Sequence, residues 1–232
     1  MNRKEVASYG KNQNKKLSNQ KIGQINIFVK DPFVNEIDHE IVFKKIDQLL
    51  PDHILELVDI IYIGEFDHFK KKNANATYSD GAIYVDHKQE NENDLIDDVI
   101  HEFAHASEDG FAALLYEDDM IKQSFIDKRI KLKKTLRYEN YSVDDYDLKS
   151  VDYNNALDQF FFREVGYEKL GNLTQGLFLG PYSATSLREY FARGFEEYYL
   201  GNRDFLKDVC PYIYKKLFLL DSLQNEENNI EY

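Results

Sequence analysis

NDLIDDVIHEFAHASED, residues 93–109, holds the pattern from which the rest of the chain can be read. On a helix turning about 100° per residue, with Leu95 as zero, Ile96, Val99, Ile100, Phe103 and Ala104 cover roughly 40–180°. His101 and His105 fall near 240° and about 280°, and Glu102 near 340°. The apolar stripe and the histidines therefore occupy opposite sides of one amphipathic helix. One side can pack on a sheet while the other lines a cleft. Two histidines four apart stand one above the other, with Cβ atoms roughly 5–6 Å apart. Both imidazoles can then reach one zinc ion at about 2.0–2.1 Å. Glu102, beside the first histidine, projects to the side of such a metal and can take a proton from its water. The plainer reading is a surface helix that happens to hold two histidines, and Asp94, Asp97 and Asp98 on the same broad face fit it. Asn93 is the expected N-cap, with Asp94 at the positive end of the helix dipole.

Strands precede this helix. QINIFVK, 24–30, alternates Ile25, Ile27 and Val29 with other residues, as a half-buried strand does. DHEIVFKKIDQLL, 38–50, carries apolar residues at helical spacing, and Pro51 ends it. LVDIIYIG, 57–64, is a second strand, and TYSDGAIYVD, 77–86, a third, entered through a Ser-Asp-Gly turn. FKKKN, from Phe69, reads as a solvated loop. After the central helix, residues 109–180 are helix and loop, with Gly166, Gly171, Gly176 and Gly180 marking a loop-rich stretch. Helices over 186–200 and 204–221 follow. Strands first and helices later make the class α+β.

Composition sets the bounds. The chain has 232 residues, 43% of them hydrophobic, with 16 Phe and 17 Tyr, enough for one sizeable core. A formal charge of −13 disfavours nucleic acid as a partner. No segment approaches the roughly 20 apolar residues of a membrane span, and the basic, polar start has no apolar leader. The expectation is a cytoplasmic monomer without membrane or nucleic-acid partners, with export by a route that needs no leader left open. Cys210 is the only cysteine, so no intrachain disulfide forms, and its helical, aromatic-rich setting suits a buried thiol. His39, His53, His68 and His87 lack ligand-like spacing. There is no phosphate-binding glycine loop, Cys-x-x-Cys pair or G-x-S-x-G elbow.

A catalytic zinc site takes three protein ligands and leaves a fourth position open. Glu108 and Asp109 follow His105 at once, but they share its short helix and cannot easily close the site from another side. A carboxylate on a second helix is expected. PYSATSLREYFARGFEEYYL, 181–200, offers Glu189, Glu196 and Glu197. Ser186-Leu-Arg-Glu189 also reads as a capping box. The two roles conflict, because a carboxylate facing a metal cannot reach back to the backbone.

HEFAHA together with Y-x6-E-Y-F-A-x-x-F, Tyr182 to Phe195, resembles the catalytic domain of the anthrax lethal factor and Pro-Pro endopeptidase family of zinc metallopeptidases. The resemblance covers residues 75–110 and 180–220. It implies a zincin-like fold: a small N-terminal mixed sheet packed on the HExxH helix, with a helical C-terminal lobe. It further implies Zn2+ held by His101, His105 and Glu189, with Glu102 as general base. Tyr182 would donate to the oxyanion, and the substrate would be an extended peptide or protein chain. GAIYVD would be the sheet edge on which that peptide pairs. Two departures stand out. The gap from His105 to Glu189 is long, so 109–180 is an insertion, and Arg193 stands where relatives often carry a second Glu. The chain thus divides into an arm at 1–22, a single catalytic domain at 23–222 and a tail at 223–232. A toxin, a processing protease and a phage protein all fit. The alternatives are an inactive binding module of the same fold and an HExxH hydrolase whose third ligand is Glu196 or Glu197.

Overall fold

The computed structural model describes residues 19–67, 69 and 74–227. The expected class is found: the fold is α+β, with a mixed sheet followed by helices. Strands β1 (Asn19–Ile22), β2 (Ile25–Val29), β3 (Ile60–Ile63), β4 (Ala76–Ser79) and β5 (Ala82–Val85) form one sheet in the order β1-β2-β3-β5-β4. β2, β3 and β5 run parallel, and β1 and β4 close the two edges antiparallel to their neighbours. Helices α1 (His39–Leu49) and α2 (Asp52–Leu55) cross from β2 to β3.

Alternation fixes the two faces of the sheet. Ile25, Ile27, Ile61, Ile63, Ile83 and Val85 are buried together on one face. They share a core with Val42, Phe43 and Ile46 of α1 and with the apolar side of α3 (Glu92–Gly110). The opposite face carries a ladder of rings in register, Phe28 to Tyr62 at 5.5 Å and Tyr62 to Tyr84 at 5.2 Å. Asp38 caps α1 by accepting from the backbone of Glu40 and Ile41.

The segment TYSDGAIYVD corrects one expectation. It is two strands, β4 and β5, joined by a tight hairpin, because Asp80 and Gly81 both adopt positive φ (51° and 78°). Asp-Gly is the residue pair that a two-residue hairpin of this twist prefers. GAIYVD is consequently an inner strand, and the edge beside the central helix is β4.

The terminal boundaries also shift. Asn19–Ile22 pair with β2 instead of belonging to the arm, and residues 1–18 lie outside the described residues. The last helix runs to Glu227, into the expected tail, and residues 228–232 lie outside the described residues. His68 and most of the FKKKN loop lie outside them too.

The segment between the motifs is largely helical: α4 (Ala112–Tyr116), α5 (Met120–Tyr138), α6 (Asn155–Gln159), a π turn at Phe160–Val165 and α7 (Tyr167–Thr174). The glycine-marked stretch is therefore not all loop. Gly166, with φ of 80°, ends the π turn, and α7 takes Gly171 into its interior. Two buried cations anchor this lobe. Lys128 of α5 donates to the carbonyls of Leu177 and Val209, and Arg129 to that of Ser150. Burial lowers both, Arg129 to about 10.

After a short turn at Tyr182–Ala184 come α8 (Leu187–Tyr199), α9 (Arg203–Val209) and α10 (Pro211–Glu227). The helix expected over 204–221 is broken at Cys210, whose φ/ψ of −129°/62° is not helical. The residue before a proline is steered out of the α region, and Pro211 then starts the new helix, where its missing N–H costs nothing. Cys210 is buried, as expected. No helix among the described residues is long and apolar enough to cross a membrane.

α8 makes the most extensive helix contact with α3 and is backed by α10. Gly194 permits the second crossing: a Cβ there would lie 2.6 Å from Ile213 Cγ2. Gly194→Ala gains about 1 kcal/mol of helix propensity but overpacks a site where such changes cost roughly 1–3 kcal/mol. We expect a net loss near 1 kcal/mol and a melting temperature lower by about 2–4 °C. A raised melting temperature would mean that the α8–α10 crossing has room to spare.

Candidate metal centre

Asn91, two residues before the expected Asn93, caps α3 by accepting from the backbone of Asn93 and Asp94. The helix then presents its faces as the periodicity requires. Leu95, Ile96, Val99, Ile100, Phe103 and Ala104 are buried in the core, while His101, Glu102 and His105 line a cleft of about 970 Å³. Ligand atoms of these three cleft residues lie within 4.8 Å of one another.

Glu189, in the first turn of α8, enters the cleft from the opposite wall. Its Oε2 lies 3.3 Å from His101 Nε2, and its Oε1 lies 3.9 Å from His105 Nε2. The two imidazoles are perpendicular, with centroids 4.7 Å apart. Four tetrahedral donors at bonds of about 2.0–2.1 Å stand about 3.3 Å from one another, close to the separations found here. Glu189 Oε2 is buried and makes no aligned hydrogen bond. The two oxygens of Glu189 thus face one ring nitrogen each, and imidazole nitrogens with a carboxylate are donors that suit zinc. The capping conflict resolves in favour of the cleft. Ser186 Oγ accepts from the Glu189 N–H at 3.1 Å, so half of the capping box forms, while the carboxylate is free to face the histidines.

Each histidine has a carboxylate on its outer side. Glu196 Oε1 lies 2.6 Å from His101 Nδ1, which leaves Nε2 to face the cleft. Arg193, where the family pattern has an acid, forms an ion pair with Glu196 and holds it from behind. Glu108 Oε2 stands 3.9 Å from His105 Nδ1. Its other oxygen accepts from the Tyr116 hydroxyl at 2.5 Å, and Arg188 lies 3.7 Å from Oε2. Glu196 and Glu108, both considered as ligands from the sequence, therefore occupy the Nδ1 sides. The Glu196 bond fixes the ring and tautomer of His101, whereas His105 Nδ1 and Glu108 Oε2 make no hydrogen bond. Glu197 accepts from the Asn202 N–H, away from the cleft, and Asp109 faces Arg188. The sequence signal for the Glu196 role was its spacing: seven residues after Glu189, two helical turns along the same face.

Glu102 is pinned by the edge strand. Its Oε2 accepts from the Tyr78 N–H at 2.5 Å. Burial pushes its carboxyl up to about 7, although His101 and the Tyr78 N–H pull in the other direction. A carboxyl in that range suits proton transfer near neutrality. Burial opposes a charge on His101, but Glu189 and Glu196 outweigh it and raise its pKa to about 10. Burial, aided by the charges of His101 and Arg188, takes His105 down to about 2. Tyr182 lines the same cleft, 40% exposed, on a turn tied by Thr185 Oγ1 to the Tyr182 carbonyl and by Ser183 Oγ to Gly180. Burial and the Glu189 carboxylate raise its hydroxyl, so it stays protonated and able to donate.

No family model, no curated protein and no solved structure matches this chain. The family resemblance rests on the two motifs alone.

The carboxylate behind His101 gives a test. Glu196→Gln keeps the shape and removes the charge, and we expect metal affinity to fall about 10–100-fold with the fold intact. If Glu196 were itself a ligand, Glu189→Ala would leave metal occupancy unchanged. A cation competes with the proton that His101 holds up to about pH 10. Metal uptake at pH 7 should therefore release close to one proton, and affinity should rise with pH. Calorimetry in buffers of different ionisation enthalpy reads that proton directly.

Proposed function

We propose that this chain is a zinc-dependent endopeptidase of zincin-like architecture. The observation that carries the reading is Glu189, which reaches across the cleft to the Nε2 atoms of both histidines of HEFAH. Zinc, with its Lewis acidity, would acidify a bound water and polarise the scissile carbonyl.

The chain's own residues supply the rest. Glu102, buried and held by Tyr78, is positioned to accept a proton from the attacking water and to pass it to the leaving amine. Its raised pKa lets one carboxylate perform both transfers near neutrality. Tyr182 keeps its hydroxyl proton and can donate it to the oxyanion that develops on the carbonyl carbon's oxygen.

Substrate alignment follows from β4. Asn75 accepts from the Asp86 N–H, so positions 75, 77 and 79 direct their backbone groups towards β5. Positions 76 and 78 face the other way. Tyr78 spends its N–H on Glu102, and Ala76 lines the cleft. An extended peptide can pair with this edge through main-chain hydrogen bonds, which brings its carbonyl beside the histidines and Glu102. Such pairing is largely indifferent to side chains, so selectivity must come from the other walls.

The experiment is hydrolysis of a peptide mixture by the zinc-loaded protein, beside Glu102→Gln. We expect the variant to keep stoichiometric zinc and to lose about 10²–10⁴-fold in kcat. Equal activity in both would sink the assignment of Glu102. A wild-type protein that holds no zinc after reconstitution would sink the enzyme reading altogether. Tyr182→Phe should lower kcat roughly 10²-fold with little change in KM, as loss of one oxyanion donor does.

A further inference from the structure

The segment between the two motifs contributes Tyr153, Asn155 and Gly180 to the cleft lining, and Tyr182 follows directly. Tyr153 lines the cleft with half of its surface exposed, beside Tyr182. Its hydroxyl does not reach into the cleft for a partner. It donates to Asp158 Oδ2 at 2.8 Å, while the Tyr167 hydroxyl donates to Asp158 Oδ1 at 2.5 Å. One carboxylate at the end of α6 thus holds two rings at once. Tyr167 in turn packs edge-on against Tyr182 (6.3 Å) and against Phe162 (5.7 Å).

A π turn at Phe160–Val165 follows Asp158 and leads to Tyr167. Phe160 and Phe161 stay in the core while Phe162 is turned outward, 57% exposed, beside Tyr167. Single π turns inside helices recur at functional sites. Both oxygens of Asp158 are occupied by phenols, and burial with the Asp158 bonds raises Tyr153 to about 12. The wall therefore presents uncharged ring surface inside a cleft whose remaining lining is mostly ionic and polar. Exposed aromatic faces held at fixed positions are surface that gains by being covered.

We propose that Tyr153 and Tyr182, locked by Asp158 through Tyr167, form a substrate subsite that takes a bulky apolar side chain of the extended peptide. This inference rests on the reading of the cleft as a peptide-binding site. Main-chain pairing with β4 sends successive side chains to opposite faces of the sheet, so one alternate set enters the cleft that Tyr153 and Tyr182 line. In this arrangement the segment 109–180 is the specificity wall of the cleft and not merely a cap on the fold.

The test uses peptides varied one position at a time around the cleaved bond, with glycine, apolar, aromatic, basic and acidic residues at each. We expect one position where a bulky apolar residue exceeds glycine by about tenfold in kcat/KM. Tyr153→Ala should erase most of that preference, read as the apolar-to-glycine ratio of kcat/KM within each protein, and keep zinc and melting temperature unchanged. Asp158→Asn, which retains the rings but weakens their tether, should give an intermediate loss. A preference for basic residues that depends on Tyr153 would overturn the apolar assignment. So would an apolar preference that Tyr153→Ala does not move, or the lack of any preference.

The same peptides are titrated onto Glu102→Gln by fluorescence anisotropy. Binding of apolar peptides that depends on Tyr153, without hydrolysis by the wild type, would keep the subsite and refute the peptidase. Hydrolysis without the Tyr153-dependent preference would do the reverse. Neither binding nor hydrolysis would refute both.

Discussion

The arrangement depends on one contact between helices: the Glu189 carboxylate, carried on α8, set against two histidines on α3. Placing an ionised oxygen and two imidazoles at 3–4 Å in a largely buried space is costly unless something binds them together. The surrounding charges are arranged around that cost. Glu196 and Glu108 face the outer ring nitrogens, and Arg193 and Arg188 sit behind those acids. Glu189 Oε2, at the centre, is buried without an aligned hydrogen bond.

This contact makes demands on the fold well beyond the cleft. α8 must approach α3 closely, and it does so because its other side can press on α10 at Gly194, where a side chain would collide with Ile213. α3 must hold its histidines away from the core, and it does so because Leu95, Val99, Phe103 and their neighbours are fully claimed by the sheet. The sheet contributes directly as well. The antiparallel edge β4 exists because Asp80 and Gly81 turn the chain back at once, and that turn brings the Tyr78 N–H to Glu102. A local dihedral preference in a hairpin is thereby linked to the protonation of a carboxylate in the cleft.

The long segment between the motifs has the look of an interruption in one dimension only. In space it lines the cleft with Tyr153, Asn155 and Gly180. Buried Lys128 ties α5 to the Leu177 carbonyl and to that of Val209 at the end of α9, and Arg129 ties it to the Ser150 carbonyl, so that buried backbone acceptors are satisfied by cations. Held in this way, the segment sets Tyr153 and Asp158 against Tyr182, and the two motif-bearing halves become one site.

The sequence by itself determined everything that depends on period and spacing. The strand at Ile25–Val29, the faces of α3, the start of α8 at Ser186 and the α+β order are consequences of local side-chain patterns, because a helix or strand displays its periodicity regardless of its partner. His101, Glu102 and His105 were legible as candidates for the same reason, Tyr182 and Glu189 through the family resemblance of their motif, and the structure brings all five to one cleft. Local chemistry was also sufficient, though misread, at Asp80-Gly81 and at Pro211, where a hairpin and a helix break were written in residue types. Only the tertiary structure decided which carboxylate faces which nitrogen. Glu189, Glu196, Glu197 and Glu108 are chemically alike, and their roles differ only by the direction from which each helix approaches the histidines. It also decided that Tyr153 belongs to the site, since nothing in the sequence relates residue 153 to residue 182 until Asp158 and Tyr167 pack between them. Spacing along the chain encodes faces, but packing between elements decides what those faces meet.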